Sequence, residues 1–372
     1  GDGAFTNCVN LRRVVTPNTL KTIGDNAFSG CYRLREVKLA AVTDVGYNAF
    51  ENCVSLVSVE VPEGLEMEDA LVGCDQVRAG KVTTDENGFL LDGKCLVGYD
   101  GRSTEVIIPD TVTQIAPYAF YMNTQITRVQ IPDSVLTIGA YAFENCSELK
   151  ELSVGAGIGL IGDSAFTGCA RIETLRFSAT DCTSYPQDGG TFANLPYLTA
   201  LTFGSGVTEL QEGMFEGCTA LKTVALPDAM KMVPARLFRG CTALTDVTVG
   251  GATTGIKEAA FSGCYSLKSI ELPKTLKTVY KEAFRDTGLV RLLLPTGVNS
   301  VQANAFYGCT SLVSVEIRTT GPITIQSGAF AGCYKLIDIV NRSTKAITVG
   351  KTTNGQIAYY TPFEPAGKGS SR

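Results

Sequence analysis

Apolar side chains recur along the chain in a single spacing, which can be written A-F-x-G-C-x-x-L-x-x-V-x-L-P-x-x-V-x-x-I-G. Successive copies are mostly 23 residues apart. A fixed period of this size is typical of a repeat protein, in which each coil buries its apolar face against its neighbours. The pattern predicts a solenoid of about 14 coils. The Ala-Phe dipeptide that marks the clearest copies ends at Phe5, Phe28, Phe50, Phe120, Phe143, Phe166, Phe261, Phe284, Phe306 and Phe330.

Each part of the repeat predicts a local structure. The L-x-x-V-x-L segment has the spacing of a short strand whose first, fourth and sixth residues point inward. Proline then ends the strand, because it cannot donate to a sheet ladder. The V-x-x-I-G segment predicts a second extended pass, and A-F-x-G-C predicts a tight helical turn packed into the core. The cysteine that follows each phenylalanine by three residues is expected to be a buried free thiol. Cys95 and Cys182 lie outside the repeat and are expected to be more reactive.

Three segments depart from the period. Residues 83–103 contain a hairpin signal around Asp92-Gly93-Lys94, and the coils on either side are expected to stack on each other with the hairpin inserted between them. Residues 178–190 lengthen one coil and predict a surface loop. The solenoid is expected to span residues 1–349, with a C-terminal cap and a frayed tail over 350–372. The chain begins inside a coil, so we expect further residues upstream.

The stretch GAGIGLIGDSAFTGC, residues 155–169, contains the pattern G-x-G-x-x-G of a dinucleotide phosphate loop. Such a loop must follow a strand and open a helix about three turns long. Here Ile158 and Ile161 instead fit the paired inward residues of V-x-x-I-G, and Phe166 and Cys169 fit the next Ala-Phe turn. The pattern is therefore interpreted as a seam between two coils.

Composition removes several classes of function. The chain has no histidine, which excludes Ser-His-Asp and Cys-His catalysis and His-ligated zinc. No two cysteines have the C-x-x-C spacing of a zinc site. The net charge of −5 gives no basic excess for nucleic acid, and no apolar run is long enough to span a membrane. We therefore predict a non-enzymatic protein with no catalytic, cofactor or metal site, no nucleic-acid partner and no membrane span.

The A-F-x-G-C…L-x-x-V-x-L-P unit resembles the BspA-like, or Treponema pallidum-type, leucine-rich repeat. This resemblance implies a right-handed, curved leucine-rich-repeat solenoid with a parallel concave sheet, α/β by convention but rich in β-structure. It also implies a bacterial protein that is secreted or displayed on the cell surface, with its signal or anchor sequence outside the given chain. Adhesion to a protein or glycan of a host or neighbouring cell is the implied role.

The outward residues of the first strand are the candidate binding positions. In L-x-x-V-x-L the fifth residue points away from the core, and Lys38, Glu60 and Lys81 alternate in sign there, as expected if neighbouring strands pair their charges. We predict a monomer that binds a macromolecular partner through this face. The alternative is a structural spacer that presents another domain. The candidate partner-binding residues are Lys38, Glu60, Lys81, Gln130, Arg176, Glu271 and Glu316.

Overall fold

The computed structural model describes residues 1–77, 82–180, 182–184, 190–343 and 347–349. The chain divides into two compact units, one of residues 1–149 and 160–169 and the other of residues 150–159 and 170 onward. Both are built from stacked coils with parallel short strands, which confirms the predicted β-rich leucine-rich-repeat solenoid of about 14 coils. Within the described ranges, no helix is long and apolar enough to cross a membrane.

The described part of the first unit contains thirteen strands, most of them two to four residues long. Strands β1, β3 and β5 pair side by side, β2 pairs with β4, and β9 pairs with β11, while β6, β7, β8, β10, β12 and β14 follow one another in a further sheet. The strands are β1 (Arg13–Val15), β2 (Thr22–Ile23), β3 (Glu36–Lys38), β4 (Asp44–Val45), β5 (Ser58–Glu60), β6 (Thr83–Thr84), β7 (Phe89–Asp92), β8 (Cys95–Tyr99), β9 (Glu105–Ile107), β10 (Gln114–Ile115), β11 (Arg128–Ile131), β12 (Thr137–Ile138) and β14 (Leu160–Ile161).

The second unit repeats this arrangement. The strands of its L-x-x-V-x-L segments pair in the orders β13-β15-β17, β18-β20 and β23-β25-β27. The strands of its V-x-x-I-G segments pair in the order β19-β21-β22-β24-β26-β28. The strands are β13 (Glu151–Val154), β15 (Thr174–Phe177), β16 (Thr183–Ser184), β17 (Ala200–Phe203), β18 (Thr223–Ala225), β19 (Met232–Val233), β20 (Asp246–Thr248), β21 (Gly255–Ile256), β22 (Thr278–Val279), β23 (Arg291–Leu294), β24 (Ser300–Val301), β25 (Ser314–Ile317), β26 (Ile323–Ile325), β27 (Asp338–Asn341) and β28 (Ile347–Val349).

The apolar positions of the repeat form the core, as predicted. In the second coil, Leu34, Val37 and Leu39 are the first, fourth and sixth residues of L-x-x-V-x-L, and all three are buried. Val37 lies opposite Val14 and Val59 in the parallel register of β1, β3 and β5. Because equivalent residues lie directly opposite one another, each coil places the same apolar side chain over that of its neighbour.

The Ala-Phe turn is not the helical turn that the sequence predicts. The only helix among the described residues is the 3-10 helix Glu68–Ala70. In most coils the turn is flanked by two residues in the left-handed region, such as Asn26 (φ 54°) and Gly30 (φ 69°) on either side of Phe28. Glycine and asparagine tolerate this conformation best, which explains their frequency there. The turns form a ladder of their own, in which the backbone N–H of Phe120 donates to the carbonyl oxygen of Ala142 in the next coil at 2.7 Å.

The glycine that closes V-x-x-I-G is required by close approach of two coils. A Cβ added to Gly162 would lie 2.7 Å from the carbonyl carbon of Gly139 and 2.8 Å from the Cα of Ala140. Both atoms belong to the backbone of the preceding coil and cannot give way as a flexible side chain can. Gly162 follows β14, which pairs with β12 and opens no helix. The G-x-G-x-x-G stretch therefore ends at a coil seam, as interpreted from the sequence.

The hairpin β7–β8 divides the first unit into two stacks, and here the structure differs from the expectation that the flanking coils stack on each other. Strand β8 pairs in parallel with β10, so the hairpin itself begins the second stack. Tyr99 of β8 continues the aromatic core, with its ring 5.6 Å from that of Phe120. The first stack instead contacts the second laterally, through Val57 packed with Leu90 and Val97.

Two of the predicted segments fall partly or wholly outside the described residues. In the lengthened loop over 178–190, residues 181 and 185–189 are outside the described ranges, and so is the predicted cap and tail over 350–372. The division of the chain into a solenoid over 1–349 and a C-terminal cap stays a prediction.

Candidate binding surfaces

The outward row of the first strands is positioned by the parallel register. In β3, Val37 points into the core, so Glu36 and Lys38 on either side of it point outward. Lys38 lies opposite Val15 in β1 and Glu60 in β5. The fifth residues of successive strands thus form a row at a strand spacing of about 4.8 Å.

Lys38 and Glu60 are engaged with each other. The Nζ atom of Lys38 lies 3.0 Å from a carboxylate oxygen of Glu60 and 3.2 Å from one of Glu36. Arg13 extends the chain of charges, with its Nε 2.8 Å from Glu36. The hydrogen bonds to Glu60 and then Glu36 raise the pKa of Lys38 above its ordinary value. These two strands pair their charges as the sequence predicts, whereas Lys81 lies outside the described residues.

Glu316 is also engaged, at the centre of an arginine clamp. The Nε atoms of Arg318 and Arg342 each donate to the same carboxylate oxygen of Glu316 at 2.7 Å. The hydrogen bond from Arg318 is the main cause that holds the pKa of Glu316 below its ordinary value. This carboxylate is therefore committed to intramolecular partners.

Gln130, Arg176 and Glu271 form the other class. All three side chains are exposed, and among the described residues none makes a hydrogen bond or ion pair. Arg176 lies between Ser153 and Thr202 in the register of β13, β15 and β17. The structure therefore splits the sequence-predicted set into committed and free members, a distinction that spacing alone does not provide.

A charged cavity on the turn side of the second unit was not anticipated from the sequence. It has a volume of about 810 Å³ and is lined by Arg236, Glu258, Arg285 and neighbouring residues. Its charges are paired: Arg236 lies 2.8 Å from Glu212, and Lys281 lies 2.9 Å from Glu258. Arg236 directly precedes the Leu237-Phe238 turn, and the equivalent residues of the two flanking coils, Gly213 and Ala259, are uncharged, so the repeat gives no signal for this surface.

An aromatic group on the turn side of the first unit was also missed. The rings of Tyr118 and Tyr141 stack with centroids 5.1 Å apart, and Tyr121 packs edge-on against Tyr118 at 5.4 Å. Tyr32 joins edge-on to Tyr121 at 6.1 Å. All four are half-buried, and burial raises the pKa of Glu144 beside them. The 23-residue separation of Tyr118 and Tyr141 is the sequence signal for this group.

The in-phase cysteines are structural in most coils. Their thiols donate to the phenylalanine carbonyl of the preceding coil, as Cys146 does to Phe120 at 3.2 Å. Burial raises the pKa of Cys218 and of Cys264 to about 12. A thiol with so high a pKa is not a nucleophile near neutral pH.

The cysteines at the ends of the repeat differ in burial from those in its middle. Cys8 is exposed and Cys333 half-buried, although both are in phase and were expected to be buried. Cys95 and Cys182, expected to be the more reactive thiols, are only half-buried. Within the described ranges, no group of three or more Cys, Asp or Glu residues could hold a metal ion.

Stacked coils of this length and pairing define a leucine-rich-repeat protein. The family model described as BspA type leucine rich repeat region matches residues 1–78, 99–222, 188–312 and 231–352. The chain therefore belongs to the BspA-type leucine-rich-repeat family, as the resemblance of the repeat indicated. A search of curated proteins gave no match.

Solved structures that are similar to this chain come from several bacteria. A leucine-rich repeat protein from Bacteroides ovatus is 22% identical, with a TM-score of 0.39, over 94% of this chain and 81% of its own. A leucine rich cell surface protein from Faecalibacterium prausnitzii is 21% identical, with a TM-score of 0.35, over 93% and 83%. The T. pallidum leucine-rich repeat protein is 26% identical, with a TM-score of 0.39, over 50% and 87%.

Proposed function

We propose that the chain is a non-enzymatic protein-interaction or adhesion module that binds a macromolecular partner through the outward row of its first strands. The observation that carries this proposal is the exposed side chain of Arg176, which makes no hydrogen bond or ion pair among the described residues and lies in register between Ser153 and Thr202. Membership of the BspA-type family supports an interaction role of this class.

The row suits binding because it is preorganised. Its backbone is fixed by parallel ladders and its inward residues are buried, so little order has to be gained when a partner docks. The side chains around Arg176 are small and polar, which lets an extended partner approach the strands closely. Arg176 supplies a planar donor for a carboxylate, a sulfate or a backbone carbonyl.

We do not assign partner recognition to Lys38, Glu60 or Glu316. Each already has an intramolecular partner that a ligand would have to displace. We therefore assign recognition to the free side chains, Arg176 and Glu271 in the second unit and Gln130 in the first, and assign the committed charges to pairing between strands or at strand ends.

The resemblance to the BspA-like family supports a secreted or cell-surface location on a bacterium, with a protein or glycan of a host or neighbouring cell as partner. We propose a monomer that acts by binding alone. The raised pKa values of the buried thiols and the absence of histidine support a non-enzymatic role.

A binding panel tests this proposal. The chain is immobilised, and purified extracellular-matrix proteins and glycans are passed over it by surface plasmon resonance. We expect saturable binding of at least one of them, weakened at least tenfold by Thr202→Arg, which places bulk beside Arg176. The matched control is Thr219→Arg at an exposed threonine outside the strands, which should leave binding unchanged. Failure of every ligand to bind the folded wild type would overturn the proposal.

A further inference from the structure

A small cavity in the first unit is lined by an excess of arginine. It has a volume of about 490 Å³, and three of its six lining residues carry a guanidinium group. On the same measure a single water molecule needs only about 10–15 Å³, so the cavity can hold a much larger group. Its lining residues are Asn10, Arg12, Arg33, Arg102, Thr124 and Gln125.

Arg33 is buried in the cavity wall, and some of its hydrogen-bond donors have no partner among the described residues. Its residue is 2% exposed, and its Nη1 donates to the side-chain oxygen of Asn10 at 3.2 Å. Its Nε and Nη2 are buried and have no hydrogen-bond partner among the described residues. A buried guanidinium with unpaired donors is costly, and proteins usually satisfy such donors with an anion or ordered water.

The neighbouring charges do not compensate Arg33. Arg12 lies at the same cavity and donates to Gln125 at 2.8 Å, while its own contact with Asp100 is long, at 3.4 Å. The Asp100 side chain is 47% exposed, so water weakens its effect. Arg102 adds a third, exposed guanidinium.

A fourth guanidinium, that of Arg35, is buried close enough to Arg33 and Arg12 to be affected by their charges. Arg35 is 2% exposed and uses one donor, Nη2, on the carbonyl oxygen of Ala119 at 2.9 Å. Its Nε and Nη1 also lack partners among the described residues. Burial, followed by the charge of Arg12, lowers the pKa of Arg33 to about 10, which leaves it protonated at neutral pH.

We propose that this cavity binds a tetrahedral oxyanion, a phosphate or sulfate group, between Arg33, Arg12 and Arg102. Guanidinium donors match the oxygen atoms of such groups in bidentate geometry, and the partly dry wall strengthens the attraction. Asn10, Thr124 and Gln125 can hydrogen-bond to the remainder of a ligand that carries the anion. The site is assigned from the first unit alone and does not rest on the proposed binding face.

Titration calorimetry and thermal unfolding of the full chain test the site. The probes are inorganic phosphate, inorganic sulfate and a sulfated disaccharide, with chloride at equal ionic strength as the baseline. We expect saturable binding and a melting temperature that rises with ligand concentration, since a ligand that binds only the folded state stabilises it. Binding of the inorganic ions indicates a free anion as ligand, whereas binding of the disaccharide alone indicates a sulfate ester on a glycan.

Two variants assign any binding to the cavity. Arg102→Ala removes an exposed guanidinium and should weaken binding at least tenfold while the fold is kept. Arg33→Lys keeps the charge but loses the planar donors and should weaken it similarly. Arg128→Ala, at an exposed arginine of β11, is the matched control and should bind as the wild type does. Absence of saturable binding with all three probes, or equal affinity of Arg102→Ala and Arg128→Ala, overturns the proposal.

Discussion

The thiol of Cys241 donates a hydrogen bond to the carbonyl oxygen of Phe215 in the preceding coil, with Sγ and O 3.2 Å apart. The same relationship recurs through the described coils, as in Cys264 with Phe238 and Cys309 with Phe284. It explains why cysteine, rather than any other small apolar residue, is preferred at this position. The sulfur atom fills space in the core, and its S–H group also donates a hydrogen bond to a carbonyl oxygen at the Ala-Phe turn.

Replacement of Cys241 by alanine should therefore destabilise the protein more than its volume alone suggests. We expect a loss of about 1–3 kcal/mol, from the lost hydrogen bond together with a small cavity. Urea unfolding followed by circular dichroism measures it. The control is Cys8→Ala at the exposed in-phase cysteine, where we expect a change within about 0.5 kcal/mol. Equal effects of the two substitutions would show that the thiol contact is not stabilising.

The buried thiols also predict a dependence of stability on pH. Burial raises the pKa of Cys218 and of Cys264 from an ordinary value of 9.0 to about 12. Below pH 9 the thiols are protonated in both the folded and the unfolded chain. Between pH 9 and 12 the unfolded chain ionises them and the folded chain does not, so the free energy of unfolding falls as the pH rises.

Urea midpoints measured from pH 8 to pH 11 check this dependence. We expect a progressive decrease above pH 9, and a smaller decrease in Cys264→Ala than in the wild type. Cys8→Ala serves again as the control and should follow the wild-type curve. A midpoint that stays constant to pH 11 would contradict the assignment.

Gly162→Ala should be strongly destabilising, because the added methyl group meets the backbone of the preceding coil at Gly139 and Ala140. We expect a loss of about 1–3 kcal/mol from overpacking. Gly251→Ala is the control, since a Cβ there meets no atom within 4 Å and no left-handed conformation is required. Thermal unfolding of the pair compares the two. If Gly162→Ala melts no lower than Gly251→Ala, the close approach of two coils does not explain why glycine recurs at the end of V-x-x-I-G in this chain.

The thiols should differ sharply in their reaction with an alkylating reagent. Cys8 is exposed and should react in the native protein, whereas buried thiols such as Cys146 and Cys169 should react only after unfolding. Mass spectrometry of peptides from samples alkylated at pH 8 gives the order of modification. Rapid native-state modification of Cys146 would show that its coil opens readily.

The sequence anticipates the features that the repeat imposes on every coil. The strand around Val37 and the core places of Phe143 and Cys146 follow from apolar spacing, because each coil buries the same positions against its neighbours. The spacing indicates that the turn at Phe28 is tight and predicts a helical turn. It does not reveal that left-handed residues close the turn. Glycine and asparagine recur two residues before and two residues after the phenylalanine, and this recurrence is the sequence signal for the left-handed positions.

The features that the repeat does not impose could not be predicted from one coil. The position of Tyr99 over Phe120, which makes the hairpin the start of a stack, depends on which strand β8 pairs with. Arg33 and Arg35 are charged and would be placed at the surface from residue type alone. Their burial depends on contacts with Asn10 and Ala119, which are distant from one another in sequence.

The distinction between committed and free outward side chains was likewise beyond the sequence. Lys38 and Arg176 occupy the same position of the repeat, yet Lys38 pairs with Glu36 and Glu60. The neighbours of Arg176 in the register are Ser153 and Thr202, which offer no opposite charge. Partners of this kind are set by the residues of adjacent coils rather than by the period.

The most direct test of the proposed binding face is a charge reversal at its centre. For any ligand bound in the panel, surface plasmon resonance compares Arg176→Glu with Arg171→Glu, a reversal at an exposed arginine outside the strands. Both variants have the same net charge, so general electrostatic attraction cancels. We predict that Arg176→Glu weakens binding at least tenfold while Arg171→Glu leaves it unchanged. Equal affinity of the two variants would contradict recognition through the outward row.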